Sequence, residues 1–165
     1  MNRPRLSFLT LLVAGVSLAC LTGCGKKAVP TNAGSIPARH EHHPPHGGTP
    51  VVLGDEAYHL ELVLDSASGT LQVYVLDGEM ENFVRCAEPA LEVGVMEGGE
   101  PKTLTLSAVA NPATGETVGD TALFEAHAGW LKTAKDFDGT LKKIAIRGTT
   151  FTDVKFNFPK GNDRD

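Results

Sequence analysis

The sequence predicts an all-β domain, an antiparallel β-sandwich of the immunoglobulin type, and three observations point to it. Short segments alternate apolar and polar residues with a period of two, which is the pattern of half-buried strands. Turn-forming glycine, proline, asparagine and aspartate separate these segments at short intervals. A helical pattern is confined to one turn, at 128–136. Eight or nine short strands broken in this way are typical of a sandwich, although periodicity leaves their order open.

The clearest pair of strands lies at 57–65 and 70–77, on either side of the turn Ser66-Ala67-Ser68-Gly69. A shorter apolar run at 51–53 precedes the pair and ends at Gly54-Asp55. A break is predicted at Asp138-Gly139, because both residues favour turns. The remaining strands are predicted at 82–86, 90–96, 102–110, 122–127, 141–147 and 150–158.

The apolar faces of these strands define a predicted core. Residues two apart along a strand point to the same face, so one face of each strand collects the large apolar side chains. The predicted core contains Leu60, Leu62, Leu64, Val73, Val75, Val93, Leu104, Leu106, Trp130, Ile144, Ile146 and Phe156.

Residues 1–23 predict a secretory signal peptide. Arg3 and Arg5 form a basic start, a short apolar stretch follows, and small residues end it. The sequence Leu21-Thr22-Gly23-Cys24 resembles the lipobox of bacterial lipoproteins. That resemblance implies cleavage before Cys24 and attachment of a lipid to its thiol. The alternative is an ordinary signal peptide that is cut at another small residue.

Lipidation of Cys24 predicts a protein anchored to a cell-envelope membrane, facing the periplasm or the exterior. By the same resemblance, Gly25 in place of an aspartate favours the outer membrane if the source is Gram-negative. Cys20 leaves with the signal and Cys24 carries the lipid, so Cys86 keeps the remaining thiol and no intramolecular disulfide forms. The net charge of −5, without a cluster of lysine and arginine, argues against nucleic acid as a partner.

Residues 24–48 predict a lipidated, disordered His/Pro-rich tether in front of the folded domain. The segment holds four prolines and almost no large apolar side chains, so it cannot bury enough apolar surface to offset the entropy of ordering. The domain itself is predicted at 49–159, and a polar tail at 160–165 follows it.

The stretch HEHHPPHGG, residues 40–48, holds four of the six histidines. Unprotonated imidazole binds Cu(II), Zn(II) and Ni(II), and histidine-rich tracts are compositional metal binders. The prolines prevent the helix that an HExxH zinc site needs. The tract is therefore either a metal site or a solvated spacer without a ligand. The predicted ligands of a Cu, Zn or Ni ion are His40, His42, His43, His46 and His59.

His59 lies on the polar face of the predicted strand 57–65, and Glu61 is two positions further along the same face. Side chains at this spacing lie about 6.6 Å apart and can approach one ion. If the histidine tract folds back over this face, His46 joins His59 and the site gains one rigid ligand. The other interpretation is a surface histidine beside a surface glutamate. His127 is either a third framework ligand or a hydrogen-bonded histidine at a strand end.

Residues 40–78 resemble the small β-domain found in some heavy-metal efflux adaptor proteins and in related short lipoproteins. There, a His-rich tract and an HGG step precede a strand of the YHLEL type and one of the LQVYVLD type. The resemblance covers about a quarter of the chain. It implies metal handling in the envelope, the five histidines as ligands, and a metal-efflux or other envelope protein as partner. The chain lacks the long helical hairpin and lipoyl-like domain of a complete adaptor.

The sequence does not predict an enzyme. Neither a G-x-S-x-G motif nor a phosphate-binding loop occurs, and Cys86 has no histidine near it in sequence. Cys86 with Met80 and Met96 is either a soft Cu(I) set or ordinary packing. We therefore expect a lipid-anchored envelope protein that binds or buffers a transition metal. The alternative is a non-catalytic envelope interaction module with incidental histidines.

Overall fold

A computed structural model describes residues 42–162. The predicted signal peptide 1–23, Cys24, His40 and the last three residues lie outside this part. Within residues 42–162, no helix is long and apolar enough to cross a membrane. The strands are β1 (Thr49–Leu53), β2 (Tyr58–Asp65), β3 (Thr70–Asp77), β4 (Ala90–Glu97), β5 (Glu100–Ala108), β6 (Leu123–His127), β7 (Phe137–Ile146) and β8 (Thr149–Phe158), with one 3₁₀ turn at Gly129–Lys132.

The eight strands form one antiparallel sheet in the order β1-β2-β3-β6-β5-β4-β7-β8, and the sheet is nearly closed and barrel-like. Residues 159–162 lie between the two edge strands. Asn162 accepts a hydrogen bond from the backbone N–H of Val52 (2.7 Å) and donates one to its carbonyl (3.1 Å). Gly161 bridges to Asn157 of β8. These contacts satisfy edge groups that would otherwise be open to pairing with another strand.

The prediction of an antiparallel all-β domain is confirmed. In place of the predicted two-sheet sandwich of the immunoglobulin type, the described residues form a single curled sheet. Period-two alternation reports only that each strand buries one face. A curled sheet and two packed sheets share that property, so the pattern does not distinguish them.

Two local predictions are corrected. Residues 82–86 do not form a strand; they make isolated bridges, Phe83 to Leu76 and Cys86 to Thr121. The predicted break at Asp138-Gly139 lies inside β7. Gly139 pairs with Phe156 of β8, and a Cβ at this position would lie within the ring of Phe156. Glycine here makes room for an aromatic ring on the neighbouring strand and does not start a turn.

The predicted core is confirmed. All of its members are buried except Leu64 and Trp130, which are half-buried and pack against the others. The core fills the space inside the curled sheet, so it also fixes the position of β2, whose other face carries His59 and Glu61.

Candidate metal site on strand β2

Strand β2 is buried on both faces. Leu60 and Leu62 point into the core, and His59 and Glu61, on the opposite face, are both 0% exposed. This face is therefore covered, as a histidine tract that folds back over it predicts, and it is not a surface pair; the ring that meets His59 is that of His42, whereas His46 meets Glu61. The cover is the described end of the His/Pro-rich segment, residues 42–48, which we call the strap.

The carboxylate of Glu61 holds the strap. Its Oε1 accepts hydrogen bonds from the backbone N–H groups of His46 (2.7 Å) and Gly48 (2.9 Å). Its Oε2 lies 2.8 Å from Nδ1 of His46. An ionised carboxylate only accepts hydrogen bonds, so all three contacts are satisfied when His46 carries a proton on Nδ1. A Cβ at Gly48 would collide with the Leu62 carbonyl and with Glu61, so glycine permits this close passage.

The start of the strap places a second histidine on β2. The rings of His42 and His59 lie 4.3 Å apart between centroids, with an angle of 46° between their planes. Nε2 of His42 is buried and has no hydrogen-bond partner among the described residues. A buried polar atom without a partner costs free energy. An added ligand of this nitrogen, such as a metal ion, would remove that cost.

His59 is held from the end of β3. Its Nδ1 lies 3.3 Å from the carbonyl oxygen of Asp77. The carboxylate of Asp77 accepts hydrogen bonds from the backbone N–H groups of Glu81 and Asn82 and from the Asn82 side chain. Burial acts to raise the pKa of Asp77, but these hydrogen bonds outweigh it and the pKa is lowered. The turn after β3 is thereby tied to the strand end that contacts His59.

His46 stands at the edge of an open pocket. Its ring stacks on Tyr74 of β3 at 4.0 Å, and the half-exposed ring of Phe83 lies 5.8 Å from both. Burial raises the pKa of Tyr74, and the nearby charges of Glu61 and Glu125 raise it further. The pocket has a volume of about 580 Å³, within the usual range for ligand sites. Its polar lining consists of Asn82, Arg85, Asn111, Thr114 and Glu116.

The structure brings some of the predicted ligands together and leaves others apart. His42, His46 and His59 all lie on the strap-covered side of β2, whereas the side chain of His43 is exposed. His40 lies outside the described residues. Within residues 42–162, no three histidine, cysteine, aspartate or glutamate side chains form a group that could hold one ion. The described residues therefore provide a pair of imidazoles and a separate histidine–glutamate pair.

His127 has hydrogen-bond partners for both ring nitrogens. Nδ1 lies 2.7 Å from the Thr70 hydroxyl, and Nε2 lies 3.0 Å from a carboxylate oxygen of Glu125. Its ring is also largely exposed, since 66% of the side chain is accessible. This arrangement agrees with a hydrogen-bonded histidine at a strand end, and it lies away from the strap.

Cys86 is a buried free thiol that donates a hydrogen bond to the carbonyl of Thr121. Burial raises the pKa of Cys86 to about 11, so the thiol stays protonated at neutral pH. Because the thiolate is the form that binds metals and attacks electrophiles, burial and the raised pKa argue against Cys86 as a metal ligand or nucleophile. Met80 is buried, which agrees with ordinary packing, whereas Met96 is half-exposed.

Tyr74 and Phe83, which flank His46, were not expected from the sequence to belong to the site. The one available signal was an aromatic residue on the non-core face of β3, paired directly with Glu61. No protein-family model, curated protein or solved structure gives a significant match to this chain. A functional proposal therefore rests on the chemistry of the side chains in the strap and on β2.

Proposed function

We propose that this chain is a lipid-anchored cell-envelope protein that binds or buffers a transition metal ion through its histidine-rich segment and His59. The contact between His42 and His59 carries the proposal, because it places an imidazole of the strap against an imidazole of strand β2. The buried Nε2 of His42, without a partner among the described residues, leaves a ring nitrogen that an ion can take as a ligand. Imidazole nitrogen is a good ligand for Cu(II), Zn(II) and Ni(II).

Two imidazoles form only part of a coordination shell, since zinc in proteins takes four ligands at structural sites. His40 and His43 lie within two residues of His42 in the chain. We expect these two side chains, together with water, to complete the shell when the ion binds. The ion is a cargo in this proposal, and no catalytic role is assigned to it.

The mature chain, made without its lipid, is expected to bind Cu(II) more tightly than Zn(II) or Ni(II), following the general order for such ligands. Affinity should fall as the pH is lowered, because protonated imidazole has no lone pair to donate. Isothermal titration calorimetry measures both effects. The control replaces His40, His42, His43 and His46 together by alanine. Equal, weak heats from both proteins would mean that the tract is a spacer.

The Cys24→Ser variant is expected to lose its membrane attachment or to remain unprocessed, because serine provides no thiol for the lipid. Fractionation of cells into membrane and soluble parts measures the first result, and the mass of the protein measures the second. The corresponding change at the other N-terminal cysteine, Cys20→Ser, should leave attachment intact. Mass spectrometry that finds an intact Cys24 without a lipid in the mature protein would contradict the anchor.

The second candidate is a non-catalytic envelope interaction module, and the pocket beside Phe83 favours it. Phe83 is 50% exposed and borders a pocket of about 580 Å³. Exposed aromatic side chains beside a concavity are common at binding surfaces. Under this proposal, binding of an envelope partner survives removal of metal by a chelator and is weakened by Phe83→Ser.

A further inference from the structure

We infer that Glu61 is a positioning residue: its carboxylate docks the strap and so places His42 against His59, without itself binding the metal. This inference rests on the proposed function and adds a residue that controls the affinity of the site. It predicts that metal binding depends on a side chain that contributes no ligand atom.

The docking contact is well defined. Glu61 is 0% exposed, and its carboxylate receives two backbone N–H groups and lies 2.8 Å from the ring nitrogen of His46. Hydrogen bonds to an ionised acceptor are about twice as strong as those between neutral groups. Stacking of His46 on Tyr74 adds a contact on the ring face. Loss of the carboxylate charge weakens every hydrogen bond in this set.

The strap between the docking contact and His42 is stiff. The N–H of Gly47 donates a hydrogen bond to the carbonyl of Pro44 (2.9 Å), which closes a turn over residues 44–47 that includes the docked His46. Pro44 and Pro45 each have a fixed φ, so the chain between His42 and His46 has few conformations available. Fixing His46 therefore also restricts where His42 lies.

At the other end of the strap, the contact between His42 and His59 is between rings. Nε2 of His42 has no hydrogen bond among the described residues. We therefore expect the position of His42 to depend on the docked end. With the strap docked, its ordering is complete before the metal arrives, and preorganisation of this kind raises affinity.

The test compares Glu61→Gln with the unaltered mature protein, using Zn(II) alone as the probe. Glutamine keeps the size of the side chain and removes its charge. We expect Zn(II) affinity to fall about 10- to 100-fold, the usual effect of losing a supporting partner, with the same number of ions bound. In the metal-free protein, hydrogen exchange at the amides of His46 and Gly48 should become faster.

The control is Glu97→Gln, which removes a carboxylate that contacts Lys102 of β5 and has no hydrogen bond to the strap. It should change neither measurement. Gly48→Ala is a second way to undock the strap, because the added Cβ displaces the strap while the charge of Glu61 is kept. It should give the same two effects, and it also serves if Glu61→Gln does not fold.

Each result decides a separate step. Unchanged exchange at His46 and Gly48 in Glu61→Gln overturns the docking role of Glu61. Faster exchange with unchanged Zn(II) affinity overturns the link between docking and binding. If the unaltered protein binds no Zn(II), Cu(II) or Ni(II), the proposed function fails and the link fails with it. The exchange data still decide whether Glu61 docks the strap.

Discussion

The Val73→Asp variant is expected to be unfolded at room temperature. Val73 lies at the centre of β3, is 3% exposed, and pairs with Leu62 of β2 on one side and Phe124 of β6 on the other. An unpaired charge buried there costs several kcal/mol, which approaches the roughly 5–15 kcal/mol that stabilises a whole domain. Within residues 42–162 the cysteine is Cys86, which is a free thiol. No disulfide in these residues therefore offsets the lost stability.

Far-ultraviolet circular dichroism should show the loss of the strand signal, and the cooperative thermal transition should disappear. The matched control is Thr152→Asp on β8, where the side chain is exposed and pairs with Lys143 on β7. This control introduces the same charge at a solvated strand position and should melt almost like the unaltered protein. A cooperative melt of Val73→Asp near the unaltered temperature would contradict the assignment of the core.

The core could be predicted from the sequence because the alternation of apolar and polar residues within each strand shows which of its faces is apolar. In β2, Leu60 and Leu62 identify the core face without reference to any other part of the chain. The other face carries His59 and Glu61, whose polarity indicated solvent. What covers them is a segment that contacts Glu61 from 15 residues away. Local alternation contains no information about such a contact.

The same limit explains the closure of the sheet. Period-two alternation describes a strand, but it does not state which strands meet at the edges. Here Asn162, in the predicted polar tail, binds the backbone of Val52, 110 residues away. Gly139 was similarly ambiguous, because glycine marks both turns and close approaches. Only the position of Phe156 on the neighbouring strand distinguishes the two.

The His59→Ala variant is expected to lose most of the metal affinity, whereas His127→Ala should keep it. His59 is buried against His42 on a strand that the core fixes in place, so its imidazole is already ordered before an ion arrives. His127 is exposed and lies next to Thr70 and Glu125, away from the strap. The two variants remove the same side chain from neighbouring parts of one sheet, which makes them a matched pair.

Competition for Zn(II) with a coloured chelator measures the two affinities, and thermal melts show whether each variant is folded. The loss in His59→Ala should at least equal the 10- to 100-fold expected for a supporting residue, since a ligand is removed outright. The expected difference between the two variants depends on the strap being packed on β2. A freely moving tract that binds metal by itself would not need His59. In that case both variants bind equally, and the four histidines of the tract account for all of the affinity.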